Sequence, residues 1–445
     1  MARRIIIVGG GAAGMGAAGA AKGVDPEAEI TVFTEFEDAA YSPCGIPYVH
    51  GKEIPSFENL FLATKQAYVD QGLDIRYETS VASFDPTAKT VTTGDGKTEP
   101  YDSLVLATGF NYADPGVPGG DLGGIYYVKN IRRAMEWDVV LNDVKAAVVD
   151  ECTPLGAEMV TALAHRGIET HLVDPNPWGM SMATDPDIMA PVQESWEEMG
   201  VHLHFNTKVT AFKGHGGKVT SVATTGGEIP ADLVVPATHK EANTALALAA
   251  GVKTGMSGGI IVDDQMRTSL RDVYAAGDCT EIPHGVSNVP IQGLSGSHAY
   301  AQGKTAGVTA AGGVRHYSPV YVPWGMVAGK WMIGGVSFSE TLATALGIPF
   351  VVGYAQGISR ARYYPDVKQV RVKLLANPDD LRLIGAQMVG GEGIKERADF
   401  LAMCVRTGIT VNELATMENV YSPPIGALNE PIALAAQALL AQRSS

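Results

Sequence analysis

Basic runs are absent from this 445-residue chain, in which 33 Lys and Arg stand against 48 Asp and Glu for a net charge of −15. Such a surface repels phosphate backbones and anionic lipid, which excludes nucleic acids and membrane surfaces as partners. Long apolar runs are missing too, and no segment approaches the roughly 20 residues of a membrane-spanning helix. The start, MARRIIIVGGGAAG, offers only Ile5 to Val8 before glycines interrupt it, so no signal peptide is expected. Cysteine is scarce. Cys44, Cys152, Cys279 and Cys404 lie far apart, without a CxxC pair or zinc-ligand spacing; this points to a reducing cytoplasm, at most one functional thiol and no metal centre. Charged residues make up only 18% of the chain against 46% hydrophobic ones, and glycine reaches 52. That balance excludes disorder and describes a globular protein rich in tight turns.

The length calls for two to four domains, with three as the working number. Apolar RIIIV, then GGGAAGMGAAGAA, then EITVF ending at Thr34 and Glu35 read as strand, glycine turn, helix and strand, a βαβ unit. A second unit runs from KAAVV through DECTPLG and the helix AEMVTALAH, turns at Gly167 and returns as ETHLV, with Asp174 at its end. Short strands follow at VHLHFNTKVTAFKG and KVTSVATT, and DLVVPAT closes the second unit before a return to the first. The fold class is therefore α/β: two tandem Rossmann-like nucleotide-binding domains plus a C-terminal α+β domain. The expected boundaries are 1–115 with 245–322 for the first, discontinuous domain, 116–244 for the second, and 323–445 for the third, where QVRVKLLA and LIGAQMVG read as strands and KERADFLAMCVRTG and EPIALAAQALLAQ as helices.

Gly9, Gly11 and Gly14 hold the three glycine positions of GxGxxG between a hydrophobic strand and a small-residue helix. They serve the tight turn, backbone approach to a pyrophosphate and close helix packing. An acid about 20 residues on, to bind ribose hydroxyls, falls to Glu35, with Thr34 beside it. YDSLVLATGF then sets Thr108 and Gly109 after an apolar strand, and VYAAGDCTE sets Gly277 and Asp278 at the end of another. Three motifs in this order are far more specific than one.

With GGGAAG, YSPCGIPY, YDSLVLATG, YAAGDC, AYAQGKTAG, ARYYP and VYSPP in order, the chain resembles the pyridine nucleotide-disulfide oxidoreductases over nearly its whole length. It is most similar to the single-cysteine branch that holds coenzyme A-disulfide reductase, NADH oxidase and persulfide reductase. The resemblance implies a glutathione reductase-like fold and an FAD site at Gly9, Gly11, Ala12, Ala13, Gly14, Thr34, Glu35, Ser42, Thr108, Gly109, Gly277, Asp278 and Ala299. It also implies a homodimer whose C-terminal domains complete each other's active sites.

Cys44 sits nine residues beyond Glu35 in YSPCGIPYVHG, so the chain must carry it from the adenosine end of the flavin site towards the isoalloxazine. Attack on a disulfide or persulfide needs the thiolate. Having no second cysteine nearby, Cys44 is expected to cycle through a mixed disulfide, a persulfide or a sulfenic acid. The resemblance implies that the partner subunit supplies tyrosines to protonate the leaving thiol: Tyr421, and Tyr363 or Tyr364.

The family pattern breaks at the second turn, where the branch carries another GxGxxG. Here Glu151 and Thr153 stand at its first two glycine positions, Pro154 follows, and only Gly156 remains. Thr153 and Pro154 read as N-cap and N1 of the next helix. Asp174 still stands where an acid selects NADH over NADPH, and Glu158 keeps the acid two residues past the last motif glycine. NAD(P)H binding is left open, with Gly156, Glu158 and Asp174 as the residues that would serve it. For a coenzyme A phosphate the cationic candidates are Lys22, Lys52, Lys65 and Arg76, each also readable as solvated surface charge. The expected activity is reduction of a small disulfide or persulfide through Cys44, with NADH as default donor. The alternatives are a deazaflavin or redox-protein donor, an NADH oxidase working through a Cys44 sulfenate, and a flavin-containing redox sensor.

Overall fold

The computed structural model describes residues 2–444 apart from 294 and 318. Its first sheet is parallel, in the order Val273–Ala275, Ser103–Leu106, Arg4–Val8, Glu29–Phe33, Leu73–Arg76. Buried on both faces, the central strands are near-continuous apolar runs such as RIIIV and SLVL, the pattern expected of a covered parallel sheet. The crossover helix Ala12–Val24 lies against the long helix Gly296–Ala310. Small residues permit that approach: a Cβ on Gly303 would collide with the Ala13 backbone, and one on Gly307 with that of Ala17.

A second parallel sheet repeats the plan in the order His202–His204, Glu169–Val173, Ala146–Asp150, Leu233–Pro236, with the helix Pro154–His165 after the strand Ala146–Asp150. Each unit carries a three-stranded antiparallel meander, at residues 81–100 in the first and 209–230 in the second. A short antiparallel ribbon, Phe110–Tyr112 against Lys240–Ala242, joins the two units.

The C-terminal part is a five-stranded antiparallel sheet, ordered Pro323–Ala328, Trp331–Ser337, Leu383–Gly390, Gln369–Ala376, Val351–Ile358. Helices Ile394–Thr407 and Pro431–Ser444 supply apolar side chains to its core. Lys373, only 5% exposed, ties this sheet to the second unit, reaching Asp187 and Glu340 at 2.6 Å and Asp185 at 3.4 Å. Sequence patterning picks out the two strands at 369–390 but not those at 323–337 and 351–358. Gly325, Gly334, Gly335, Gly353 and Gly357 interrupt the latter, and at Gly353 a side chain would strike the helix backbone at Ala435.

Candidate active site

The first glycine turn is shaped by close approach. Gly9 takes φ of +116°, and a Cβ there would collide with the Ala107 carbonyl; one on Gly14 would collide with the carbonyl of Gly9. At Gly11, by contrast, a Cβ would meet nothing within 4 Å. Gly11 is the N-cap of the helix that opens with Ala12 and Ala13, and no side chain caps it. The helix start therefore offers bare amides and the positive end of its dipole to an anion.

The other strand ends converge on this turn. Thr34 is buried after Glu29–Phe33, and Glu35 next to it is exposed. Thr108 donates its hydroxyl to the Asn243 carbonyl at 2.6 Å, while Asn243 Nδ2 donates to the Thr108 carbonyl at 3.0 Å, locking the strand end before Gly109, whose φ is +70°. Gly277, with φ of +88°, lies close enough to Ala13 and Ala299 that a Cβ would press on both. Its amide donates to Gln302 Oε1 at 2.7 Å. Asp278 Oδ2 accepts from Lys240 Nζ at 3.0 Å, whereas Asp278 Oδ1 and Gln302 Nε2 are buried with no hydrogen-bond partner. Buried polar atoms are nearly always satisfied, so an orphaned carboxylate oxygen and an orphaned amide nitrogen beside a bare helix start fit a bound dinucleotide with hydroxyls to share.

Cys44 lies in the 3₁₀ turn Pro43–Gly45, which starts after Ser42 and leads into the helix Ile46–His50. The residue is exposed as a whole, yet burial of the thiol itself is the first cause that raises its pKa. Negative Glu158 and Asp278 push it the same way and Lys240 opposes them. Glu158 accepts from the Tyr48 hydroxyl at 3.2 Å, and burial raises its carboxyl to about 7 despite that bond. The Tyr112 phenol is raised by burial and then by Cys44, which sets it among the groups around the sulfur. On the C-terminal sheet's side, Tyr363 and Tyr421 share a hydroxyl hydrogen bond of 3.0 Å. Tyr363 is 75% exposed and Tyr421 45%, while Tyr364 stands under the Arg360 guanidinium, 5.8 Å from its ring centre.

Residues 3–303 match the family pattern described as pyridine nucleotide-disulphide oxidoreductase, and residues 325–431 match the dimerisation domain of the same family. The chain belongs to that family. An NADH oxidase of Methanocaldococcus jannaschii is 34% identical over 449 residues, covering 99% of this chain and 100% of the relative. An NAD(P)H sulfur oxidoreductase (CoA-dependent) of Pyrococcus abyssi is 29% identical, with 98% of each chain covered. Among solved structures, an NAD-dependent persulfide reductase from A. fulgidus superposes with a TM-score of 0.96 at 29% identity, covering 99% of this chain and 83% of that one. As members of an FAD-dependent family require, the residues of the first turn and of Asp278 and Gln302 fit the cofactor.

The second turn departs from the glycine pattern of the first, with Glu151 and Thr153 where the first has Gly9 and Gly11. Its backbone repeats the first: the amides of Glu151 and Gly9 each donate to the neighbouring strand, at Val173 and Phe33, both at 2.8 Å. A Cβ on Gly156 would likewise strike the Glu151 carbonyl. Glu151 adopts φ of +73°, a left-handed conformation that costs a non-glycine residue about 1–2 kcal/mol. Thr153 caps the helix by accepting the Gly156 amide, and Pro154 has no amide to offer. Asp174, 2% exposed, takes the Cys152 amide on Oδ2 at 2.7 Å and both nitrogens of Asn176 on Oδ1. Burial, with Glu151 and Asp174 nearby, raises the Asp150 carboxyl to about 7. Three carboxylates thus crowd one turn, and Glu158 is set beside Cys44.

The four cations considered for a coenzyme A phosphate are already engaged. Lys22 donates to the Ala28 carbonyl, Lys52 pairs with Asp138, Lys65 stands over the Tyr77 ring and Arg76 pairs with Asp74. Sequence reasoning missed Lys240, Gln302, Asn243, Tyr48 and Tyr112. Two of them carried a signal: Tyr48 lies four residues past Cys44 in the same motif, and Gln302 lies within AYAQGKTAG.

Proposed function

We propose that this chain is an FAD-dependent oxidoreductase that reduces a small disulfide or persulfide through Cys44, with NADH as default electron donor. Cys44 carries the proposal, as the one exposed cysteine of the four, set among Glu158, Asp278, Lys240 and Tyr112. Relatives named for CoA-dependent sulfur reduction and coenzyme A disulfide reduction support it.

The Cys44 thiolate attacks one sulfur of the substrate, the S–S bond breaks, and the departing thiolate takes a proton while Cys44 keeps the other half as a mixed disulfide or persulfide. An electron pair delivered to the Cys44 sulfur then breaks that bond and releases the second thiol. Bound FAD supplies this two-electron transfer. Lys240 favours the anionic sulfur and Glu158 disfavours it. In a homodimer the Tyr421 and Tyr363 pair, with Tyr364, donates to the leaving sulfur across the interface. Residues 1–115 and 245–322 hold FAD, 116–244 form the nicotinamide-type unit and 323–445 the dimer contact. Unpaired thiols throughout suit a reducing cytoplasm, and no helix among the described residues is long and apolar enough to cross a membrane.

Steady release of thiol from coenzyme A disulfide or a persulfide, lost in Cys44→Ser while the flavin stays bound, is the expected result. Turnover that persists in Cys44→Ser refutes the assignment. A second donor is favoured by one observation, the self-capped turn from Glu151 to Gly156. A deazaflavin or a redox protein then reduces the flavin, and the second unit serves as scaffold. Rapid anaerobic bleaching of the flavin by micromolar NADH excludes that version.

A further inference from the structure

Far from the thiol chemistry in character, the edge of the second sheet gathers three imidazoles and a carboxylate on one face. Side chains two apart on a strand share a face, which groups Glu169 with His171 and His202 with His204. The parallel register sets His171 opposite His202 and Val173 opposite His204, so all four side chains lie on the same side of two hydrogen-bonded neighbours. The His171 ring stacks on His202 at 4.7 Å and on His204 at 5.3 Å. One ligand atom each from Glu169, His171 and His202 falls within 4.8 Å of the other two.

We infer that Glu169, His171 and His202 bind one divalent transition-metal ion of the zinc class. Two imidazole nitrogens and one carboxylate oxygen form a ligand set for zinc and its borderline neighbours, whereas magnesium and calcium want oxygen alone. Bonds of about 2.0–2.2 Å put tetrahedral ligand atoms about 3.4 Å apart. Glu169 Oε1 already lies 3.3 Å from His171 Nε2 and 4.0 Å from His202 Nε2. The remaining closure falls to the two mobile ligands: the Glu169 and His202 side chains are 60% and 56% exposed, while His171 is held at 11%. His204 is a positioning residue. Its Nε2 lies 3.1 Å from His171 Nδ1, and accepting a proton there leaves the Nε2 lone pair of His171 for the metal, the orienting role that a carboxylate, carbonyl or water usually plays for a ligating histidine. Three protein ligands on an exposed edge leave the fourth position to water. The ion would pin the edge strand to its neighbour through side chains as well as backbone.

Calorimetric titration of the tag-free, FAD-containing protein with Zn²⁺, after chelator treatment and removal of the chelator, tests this. One ion per chain is expected, with Mg²⁺ giving no heat. His202→Ala and Glu169→Gln, both at exposed positions that leave the fold intact, should each lose at least tenfold in affinity, and His204→Ala about ten- to a hundredfold with the stoichiometry kept. Cys44→Ser should bind zinc as the wild type does. The tetrahedral d–d absorption of bound Co²⁺, present in wild type and lost in His202→Ala, gives a reading independent of heat. No zinc uptake by the wild type, or equal uptake by His202→Ala, overturns the site; loss of binding in Cys44→Ser would instead assign the ion to the thiol and overturn it equally.

Discussion

Thr153 Oγ1 accepts the Gly156 amide at 3.3 Å and donates to the Ala237 carbonyl at 2.7 Å, so the helix start of the second nucleotide unit is closed by its own chain. In the first unit the equivalent position is Gly11, which caps nothing.

Opening the second turn should therefore strengthen nicotinamide binding. Glu151→Gly removes a carboxylate, whose repulsion of a phosphate about 4 Å away is on the order of 4 kcal/mol at an effective dielectric near 20, and relieves the left-handed strain of a non-glycine residue. In Glu151→Gly/Thr153→Gly the dissociation constant for NADH, followed by fluorescence quenching, should fall about tenfold or more. An unchanged constant would mean that nucleotide does not approach this turn at all.

Proton affinity at Cys44 is set by opposed neighbours. Glu158→Gln removes the negative charge that ranks next after burial in raising the thiol pKa, and Lys240→Met removes the positive charge that lowers it. Iodoacetamide alkylation of Cys44 at neutral pH should thus be faster than wild type in Glu158→Gln and slower in Lys240→Met. Since burial holds Glu158 near 7, the wild type should approach the Glu158→Gln behaviour as pH falls through that value. Identical rates in all three proteins would separate Glu158 from the sulfur.

Asp150 gives a stability signature. Its carboxyl is held near 7 against an ordinary 3.8 by burial and by Glu151 and Asp174, so the folded chain binds that proton more tightly than the unfolded chain. Its destabilising effect is absent below about pH 4 and grows, as pH climbs through about 7, to as much as about 4 kcal/mol. Asp150→Asn should unfold in urea at a higher midpoint than wild type at pH 8, with the two converging near pH 4. A difference that does not vary with pH contradicts the assignment.

Lys373 holds Asp185, Asp187 and Glu340 where the C-terminal sheet meets the second unit. Lys373→Met leaves Asp185, 2% exposed, without the cation it pairs with among the described residues, and removing one partner of a buried charge group costs about 3–5 kcal/mol. A lower melting temperature and easier proteolysis between residues 323 and 376 should follow. Melting at the wild-type temperature would show that the cluster contributes nothing net.

What could be read in advance divides by how local its cause is. Gly9 and Gly14 are legible from the short motif they share with Gly11, and in the fold one carbonyl forbids a side chain at each, that of Ala107 at Gly9 and that of Gly9 at Gly14. Cys44 and the Tyr363 and Tyr421 segments announced themselves by their motifs, and Thr153 by the capping rule it obeys. Lys240 had no such mark. It meets Asp278 from 38 positions away in the chain, and Gln302, on the helix Gly296–Ala310, meets Gly277 just past a strand end 25 positions away. Glu158 was placed as a nicotinamide acid by its spacing from Gly156, and its neighbourhood with Cys44 emerges only once the helix Pro154–His165 is docked on Ile46–His50. The histidine face was overlooked for another reason: ETH and HLH are period-two signals on strands, and a search for cysteine spacing passes over them.

The ribbon of Phe110–Tyr112 and Lys240–Ala242 is three residues wide on each side, and Lys240 is part of it. The cation that favours the reactive sulfur is thus mounted on the seam between the two nucleotide units and belongs to neither core. The charge next to Asp278 is thus placed by the pairing between the units and not by the packing within either.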